Sequence, residues 1–154
     1  MDAMVFIACA LTAVLAVAMC VGFFLSSRSE VARMAMVVAD PDSVWDLLAN
    51  PRTHPTWRKD ISRVLRKPDE NGLPCWIEVG SLSRREIQVH SLRPPSRMAA
   101  ELKNGIVPMH GALRIQVTPR GGGCQVSVWE EVEIKSPLCR FIVRFLVGRN
   151  SSAD

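Results

Sequence analysis

From Ala3 to Leu25 the chain carries no charge, and only Thr12 and Gly22 interrupt a run of 23 residues that is otherwise apolar. A helix of that length covers roughly 33 Å, against about 30 Å of bilayer hydrocarbon. Inside lipid every backbone N–H and C=O must pair within the segment, so the run is predicted to be helical. A short polar stretch, Ser26 to Glu30, follows. Val31 to Ala39 is rich in Val, Met and Ala and fits either strand or helix. Asp40-Pro41-Asp42-Ser43 then reads as a helix start, with Asp40 as N-cap, Pro41 in the first helical position and Asp42 placed to favour the dipole. Val44, Trp45, Leu47 and Leu48 recur at helical spacing, and Asn50-Pro51 ends the helix. A second short turn is expected around Thr53 to Arg58, broken by Pro55 and leaving His54 in a loop.

Beyond Ile61 the period changes to that of strands. The candidates are Ile61–Arg66, Cys75–Ser81, Arg84–Leu92, Arg97–Lys103, Ala112–Thr118 and Gln125–Lys135. Turn chemistry separates them at Pro68 to Gly72, Pro94-Pro95, Asn104-Gly105 and Gly121-Gly122-Gly123. Leu113, Ile115 and Val117 alternate with Arg114 and Gln116. Val126 and Val128 alternate with Gln125 and Ser127. Strands with one buried and one wet face pair antiparallel. Pro137 opens a last helix, in which Leu138, Phe141, Ile142, Phe145 and Leu146 form an apolar stripe against Arg140 and Arg144.

The N-terminal run has two readings. A secretory signal has a basic start, a shorter apolar stretch and a small-residue cleavage site. Met1-Asp2 has no cation, Ala16-Val17-Ala18 matches a cleavage site only as an Ala-rich helix does by chance, and Met19 precedes Cys20 where a lipoprotein signal needs a small residue. We therefore read residues 3–25 as an uncleaved transmembrane anchor and 26–30 as its linker. Arg28 and Arg33 follow the span and no basic side chain precedes it. The positive-inside rule thus predicts a single-pass membrane protein with its soluble part in the cytoplasm.

About 125 residues remain after the anchor, enough for one domain with one core. The chain's 19 Lys and Arg all lie outside the span, and the net charge is +4. This mild excess fits either an ordinary solvated surface or attraction to anionic lipid. No basic block marks a nucleic-acid site, so no nucleic-acid partner is expected. Of the five cysteines, Cys75, Cys124 and Cys139 lie in the soluble part. Their odd number and wide spacing exclude a disulfide framework, and without a Cys/His cluster neither metal nor cofactor is expected. Tyrosine is absent, which removes one class of acid–base residue.

The order is strand, two short helices, a meander of about six strands and a C-terminal helix. A curved antiparallel sheet must cover its apolar face, and the last helix is the long element able to do it. From about Glu30 to Arg149 the chain resembles the START-like, or SRPBCC, superfamily. That superfamily includes polyketide cyclases/dehydrases, coenzyme Q-binding proteins and Bet v 1-like plant allergens. The resemblance rests on Ala39-Asp40-Pro41-Asp42-Ser43-Val44-Trp45-Asp46-Leu47-Leu48 with Pro51 and Trp57, and on Leu92-Arg93-Pro94-Pro95-Ser96-Arg97-Met98. It rests further on Cys124 to Glu130 and on Ile134-Lys135-Ser136-Pro137-Leu138-Cys139-Arg140-Phe141. It implies an α+β helix-grip fold over residues 31–149, a curved antiparallel sheet of six to seven strands around a C-terminal helix. It also implies a pocket for an apolar molecule between them. In the family that helix continues well beyond Gly148-Arg149. Here residues 150–154 form a tail, so the helix is either short or truncated, and a shorter helix would leave the pocket less covered.

On that fold the expected ligand-binding residues are Trp57, Ile87, Val89, Met98, Leu102, Leu113, Ile115, Val117, Val128, Glu130, Phe141 and Phe145. Trp57 would stand at the pocket mouth or simply fill its rim, while Trp45 packs in the core. Glu130 points inward if alternation holds from Val126 and Val128. There it would orient a ligand or act as an acid–base group. A bulge at Trp129-Glu130-Glu131 would turn it out, and a strand arginine would pair it. His54, His90 and His110 have no partner carboxylate placed by sequence. His90 falls on the wet face and His110 in a turn. Ser81 and Ser83 lack a nucleophile-elbow context. Three functions follow: membrane-anchored binding or transport of a lipid, isoprenoid quinone or polyketide-like molecule; a cyclase/dehydratase-type enzyme with Glu130 as base; or a ligand-free interaction module, its protein partners unknown.

Overall fold

A computed structural model describes residues 2–81, 83–104 and 108–147. The expected turn residue Gly105, the helix end at Gly148-Arg149 and the tail 150–154 lie outside the described residues. The chain forms two compact units, one of Met1–Arg28 with Ile134–Asp154, the other of Ser29–Glu133.

The first unit holds helix α1, Asp2–Phe24, and helix α4, Pro137–Ile142, which continues as a wider turn over Val143–Val147. The α1 side chains are mostly exposed, Phe6 by 80% and Phe24 by 88%, as suits a helix long and apolar enough to cross a membrane. The two helices meet at Gly22. A Cβ there would lie 1.9 Å from the Pro137 carbonyl oxygen, so the backbones approach through the missing side chain. Ser136 caps α4 by accepting from the Cys139 N–H at 3.4 Å. Arg140 donates to the carbonyls of Ile134 at 2.7 Å, Lys135 at 2.9 Å and Leu25 at 3.4 Å. It thereby supplies donors for carbonyls at the end of one helix and the entry to the other.

The second unit is a seven-stranded antiparallel sheet with two short helices. The strands are β1 (Arg28–Val37), β2 (Arg63–Arg66), β3 (Cys75–Val79), β4 (Arg84–Arg93), β5 (Arg97–Asn104), β6 (Met109–Arg120) and β7 (Gly123–Ile134), in the spatial order β1-β7-β6-β5-β4-β3-β2. Thus β2 to β7 form a meander, and β1 crosses to pair with β7. The segment that fitted strand or helix is a strand. It begins at Arg28 and so takes in Arg28 to Glu30 from the stretch read as linker. These residues are exposed, and an edge position leaves no burial pattern in the sequence. His110 lies inside β6 and not in a turn.

Helix α2, Pro41–Ala49, starts as its sequence requires: the Asp40 carboxylate accepts from the Ser43 N–H at 3.1 Å and Pro41 takes the first position. Asn50 closes it and opens a 3₁₀ turn, Pro51–Thr53, accepting from the Arg52 N–H at 3.1 Å. Helix α3, His54–Trp57, runs through Pro55. The expected break does not occur because a first-turn N–H needs no helical partner. His54 is therefore helical and is buried.

The core gathers Trp45 from α2 with Trp76, Ile87, Val89, Met98, Ala100, Leu102, Ile115, Val117 and Cys124 from the sheet. Register explains this set. Trp76 faces Ile87, Ile87 faces Leu102, Val89 faces Ala100, Ala100 faces Leu113 and Met98 faces Ile115. The register shifts between Val89 and Ser91, and His90 at that bulge is exposed, beside Glu101 at 3.3 Å. At Gly111 a Cβ would meet the Glu131 carbonyl oxygen at 2.3 Å. Gly111→Ala should therefore destabilise the domain by about 1–3 kcal/mol through forced backbone movement. Urea unfolding followed by tryptophan fluorescence will measure it, and a loss below about 0.5 kcal/mol would show that β7 yields freely.

Candidate functional site

A cavity of about 320 Å³ lies within the second unit, lined from the sheet and from α2 and α3. Its apolar wall is Leu48, Trp57, Trp76, Ile87, Met98, Leu102, Leu113, Ile115 and Val128, and its polar end is His54, Arg58, Glu78, Arg85 and Glu130, with Arg33 also on the rim.

The polar end is built around Glu78. Strand alternation puts Glu78 on the same face as Trp76, and its direct cross-strand partner is Arg85. Its side chain is 2% exposed, so the carboxylate must be compensated by the protein. His54 Nδ1 lies 2.7 Å from Oε1, and the Trp76 indole N–H donates to the same oxygen at 3.4 Å. Arg58 donates to Oε2 at 3.1 Å, and Arg85 stands 3.6 Å from it. Burial pushes the Glu78 carboxyl up. The His54 hydrogen bond and the charges of Arg58, Arg85 and His54 outweigh that, and it is held below its ordinary value.

Arg58 also grips Asp60 through both carboxylate oxygens, at 3.4 and 2.8 Å. For Asp60, partial burial acts upward, and the Arg58 hydrogen bond and charge with that of Arg85 bring the net shift downward. His54 and Arg58 stand four apart, so one helical turn delivers both to Glu78. The other His54 nitrogen, Nε2, faces the Leu48 carbonyl at 3.1 Å. A neutral ring has one N–H for these two acceptors, and a doubly protonated ring serves both. Both nitrogens thus face oxygens of the protein, and both contacts are hydrogen bonds only when each nitrogen carries a proton. The ring meets Trp57 and Trp76 edge-on, at 5.8 and 6.1 Å between centroids.

Glu130 is on the cavity wall and pairs with Arg85 at 3.5 Å, its side chain 36% exposed. It is thus both inward on its strand and held by a strand arginine. Among the acids of the polar end it is the more accessible to a bound molecule. Trp57, Ile87, Met98, Leu102, Leu113, Ile115 and Val128 line the same cavity. Val89 and Val117, each 2% exposed, sit in the packed core. Phe141 and Phe145 belong to the first unit, where their rings pack at 4.9 Å. Sequence reasoning missed His54, Arg58, Glu78 and Arg85 as a group. The inward parity that drew attention to Glu130 applies equally to Glu78 after Trp76, and was the available signal.

Elsewhere, Glu70, Cys75 and Glu86 present one donor atom each within 4.8 Å of one another. Lys67 already pairs with Glu86 at 2.6 Å. Burial and then the charge of Glu86 push the Cys75 thiol up.

A sequence profile described as polyketide cyclase/dehydrase and lipid transport matches residues 28–153. The chain belongs to that family. No curated protein matches it. Its fold is similar to that of a START superfamily protein from Mycobacterium smegmatis, 19% identical over 79% of this chain and 88% of that one, with a TM-score of 0.63. It is also similar to the di-domain ARO/CYC StfQ from the steffimycin biosynthetic pathway, 11% identical over 80% of this chain and 47% of that one, with a TM-score of 0.58. Ara h 8.0201 is 9% identical over 70% of this chain and 79% of its own, also with a TM-score of 0.58. These likenesses establish the START-like helix-grip fold, and fold leaves function open.

The depressed Glu78 carboxyl ties stability to pH. A lowered folded-state value means that its contribution is complete above the ordinary glutamate value, about 4.3, and is lost as pH falls through the folded value. The melting temperature should therefore drop on acidification below about pH 4.3. Glu78→Gln should lower stability at neutral pH by about 3–5 kcal/mol, as expected for breaking a buried ion pair, and should flatten that acid limb. Thermal melts of both proteins between pH 3 and 7 will show this, and identical acid limbs would remove Glu78 from the account.

Proposed function

We propose that this family member binds an apolar small molecule in the cavity between sheet and short helices, with α1 anchoring it to a membrane. One observation carries the reading: an apolar wall leads to a polar end whose hydrogen-bonding groups are organised before any ligand arrives. Ligand pockets commonly combine these features, and about 320 Å³ is near the lower end of their volume range. The wall suits a hydrocarbon or ring body. Arg85 and Glu130 suit one polar group, as on a lipid, an isoprenoid quinone or a polyketide-like molecule. An anchor would hold the cavity beside the phase in which such molecules dissolve. Arg28 and Arg33 after the span support a cytoplasmic side for the soluble part under the positive-inside rule.

A cyclase-type enzyme is the second reading, favoured by an accessible carboxylate at the rim of a cavity that also holds tryptophans. His54 is the weaker candidate base, since its two nitrogens face Glu78 and the Leu48 carbonyl and not the open cavity. Glu130 is the stronger one.

Native mass spectrometry of the detergent-extracted full chain should recover a defined apolar species. Ile115→Trp should exclude it by filling the cavity, at a strain cost of roughly 1–3 kcal/mol. Recovery of the same species from the variant would place it elsewhere. Glu130→Gln keeps the shape and removes the charge. Affinity for the recovered species should fall by about 1.5–3 kcal/mol, the worth of a hydrogen bond to a charged group. A drop of about 10²–10⁴-fold in turnover of an aromatic or polyketide-like substrate, with binding intact, would instead establish Glu130 as the base of an enzyme.

A further inference from the structure

A second concave surface of about 600 Å³ brings together Arg33, Arg93, Arg97 and Arg114 with Gln116 and Trp129, and no carboxylate lines it. Register shows how it forms. Arg93 faces Arg97 directly across β4 and β5, and Arg97 faces Gln116 across β5 and β6. Arg114, two residues before Gln116, shares their face. This is the face that Met98 and Ile115 turn away from, their side chains being in the core. Arg33, on the edge strand, borders both cavities, and so do Met98, Ile115 and Val128 of the sheet that separates them. The Arg114 guanidinium lies 4.4 Å over the Trp129 ring, while the indole N–H of Trp129 donates to Glu30.

Like charges directly opposite in a sheet destabilise it. Three arginines elsewhere in this unit have carboxylate partners, Arg58 with Asp60 and Glu78, Arg66 with Asp69 and Arg85 with Glu130. What sets the groove apart is that four arginines share one concave surface. None of the four groove arginines has an ion pair with a carboxylate among the described residues. A concave arginine cluster without internal counter-charge is complementary to a phosphate, which guanidinium groups bind in forked geometry. Trp129 adds a surface of the amphipathic kind found at membrane interfaces. Only eight residues lie between Arg33 and the end of α1 at Phe24. That length of chain reaches about 30 Å at most.

We propose that this groove seats the phosphate headgroup of an anionic phospholipid, on the sheet face opposite the one that Met98 and Ile115 turn into the core. Calorimetric titration of the full chain in neutral detergent tests it with three probes. Dihexanoyl phosphatidic acid supplies phosphate and glyceride, dihexanoyl phosphatidylcholine the glyceride without net charge, and inorganic phosphate the anion alone. Phosphatidic acid should bind at least tenfold more tightly than either of the others. An Arg97→Gln/Arg114→Gln variant should weaken it by roughly tenfold or more, the loss expected for charge-assisted hydrogen bonds. Arg97→Lys/Arg114→Lys should retain most of the affinity, and Arg66→Gln, outside the groove, all of it. Equal affinity for inorganic phosphate would overturn the lipid assignment in favour of a soluble anion. Equal affinity for phosphatidylcholine, or no loss in the glutamine variant, would overturn the groove as an anion site. A single-stranded oligonucleotide is titrated as a fourth probe, and binding tighter than that of phosphatidic acid would overturn the lipid assignment in favour of nucleic acid.

Discussion

A carboxylate buried to 2% exposure in a small domain must be held by the protein on every side. Glu78 sets that requirement, and much of the second unit meets it. Arg85 reaches it across the sheet, His54 and Arg58 reach it from the helical turn, and the Trp76 indole fills the remaining angle. A helix of four residues, such as α3, has no stability of its own. It stays where it is because His54 at its start and Arg58 just past its end are both tied to a charge that cannot be solvated. Every buried side-chain nitrogen and oxygen among the described residues has a partner, which is the condition under which such a network holds rather than weakens a core.

The same network shapes the cavity. Charges fixed at one end leave the other walls free to be apolar, so a molecule entering meets hydrocarbon first and oriented polar groups last. Arg85 stands between the two acids, 3.6 Å from Glu78 and 3.5 Å from Glu130. Its charge supports the buried carboxylate while it positions the accessible one. A change at Glu130 will therefore be felt at Glu78 through this shared guanidinium, and substitutions of the two acids will not be additive.

The first unit rests on a different kind of contact. Gly22 admits the Pro137 carbonyl, and Arg140 gathers three backbone carbonyls that bracket the ends of α1 and β7. A polar cluster of this sort suits a point where the chain leaves an apolar helix for a solvated domain, because carbonyls at a helix end lack helical donors.

The apolar helix, the capped start of α2, the meander of strands and the START-like fold were all legible in the residues. Each rests on local chemistry or on a period that repeats over many positions: 23 uncharged residues, Asp40-Pro41, and alternation in β6 and β7. So was the inward parity of Glu130. Three features depended on contacts distant in the chain. His54 pairs with Glu78 24 residues away, so nothing beside His54 marks it as buried. Strand β1 starts at Arg28 because pairing with β7, roughly a hundred residues later, and not side-chain burial, makes it a strand. Val89 and Val117 have no share in the cavity while Leu113 and Ile115 line it, although all four share the same inward parity. Alternation determines which face a side chain occupies. Whether that face meets another side chain or an open space is decided only by the elements that pack against it.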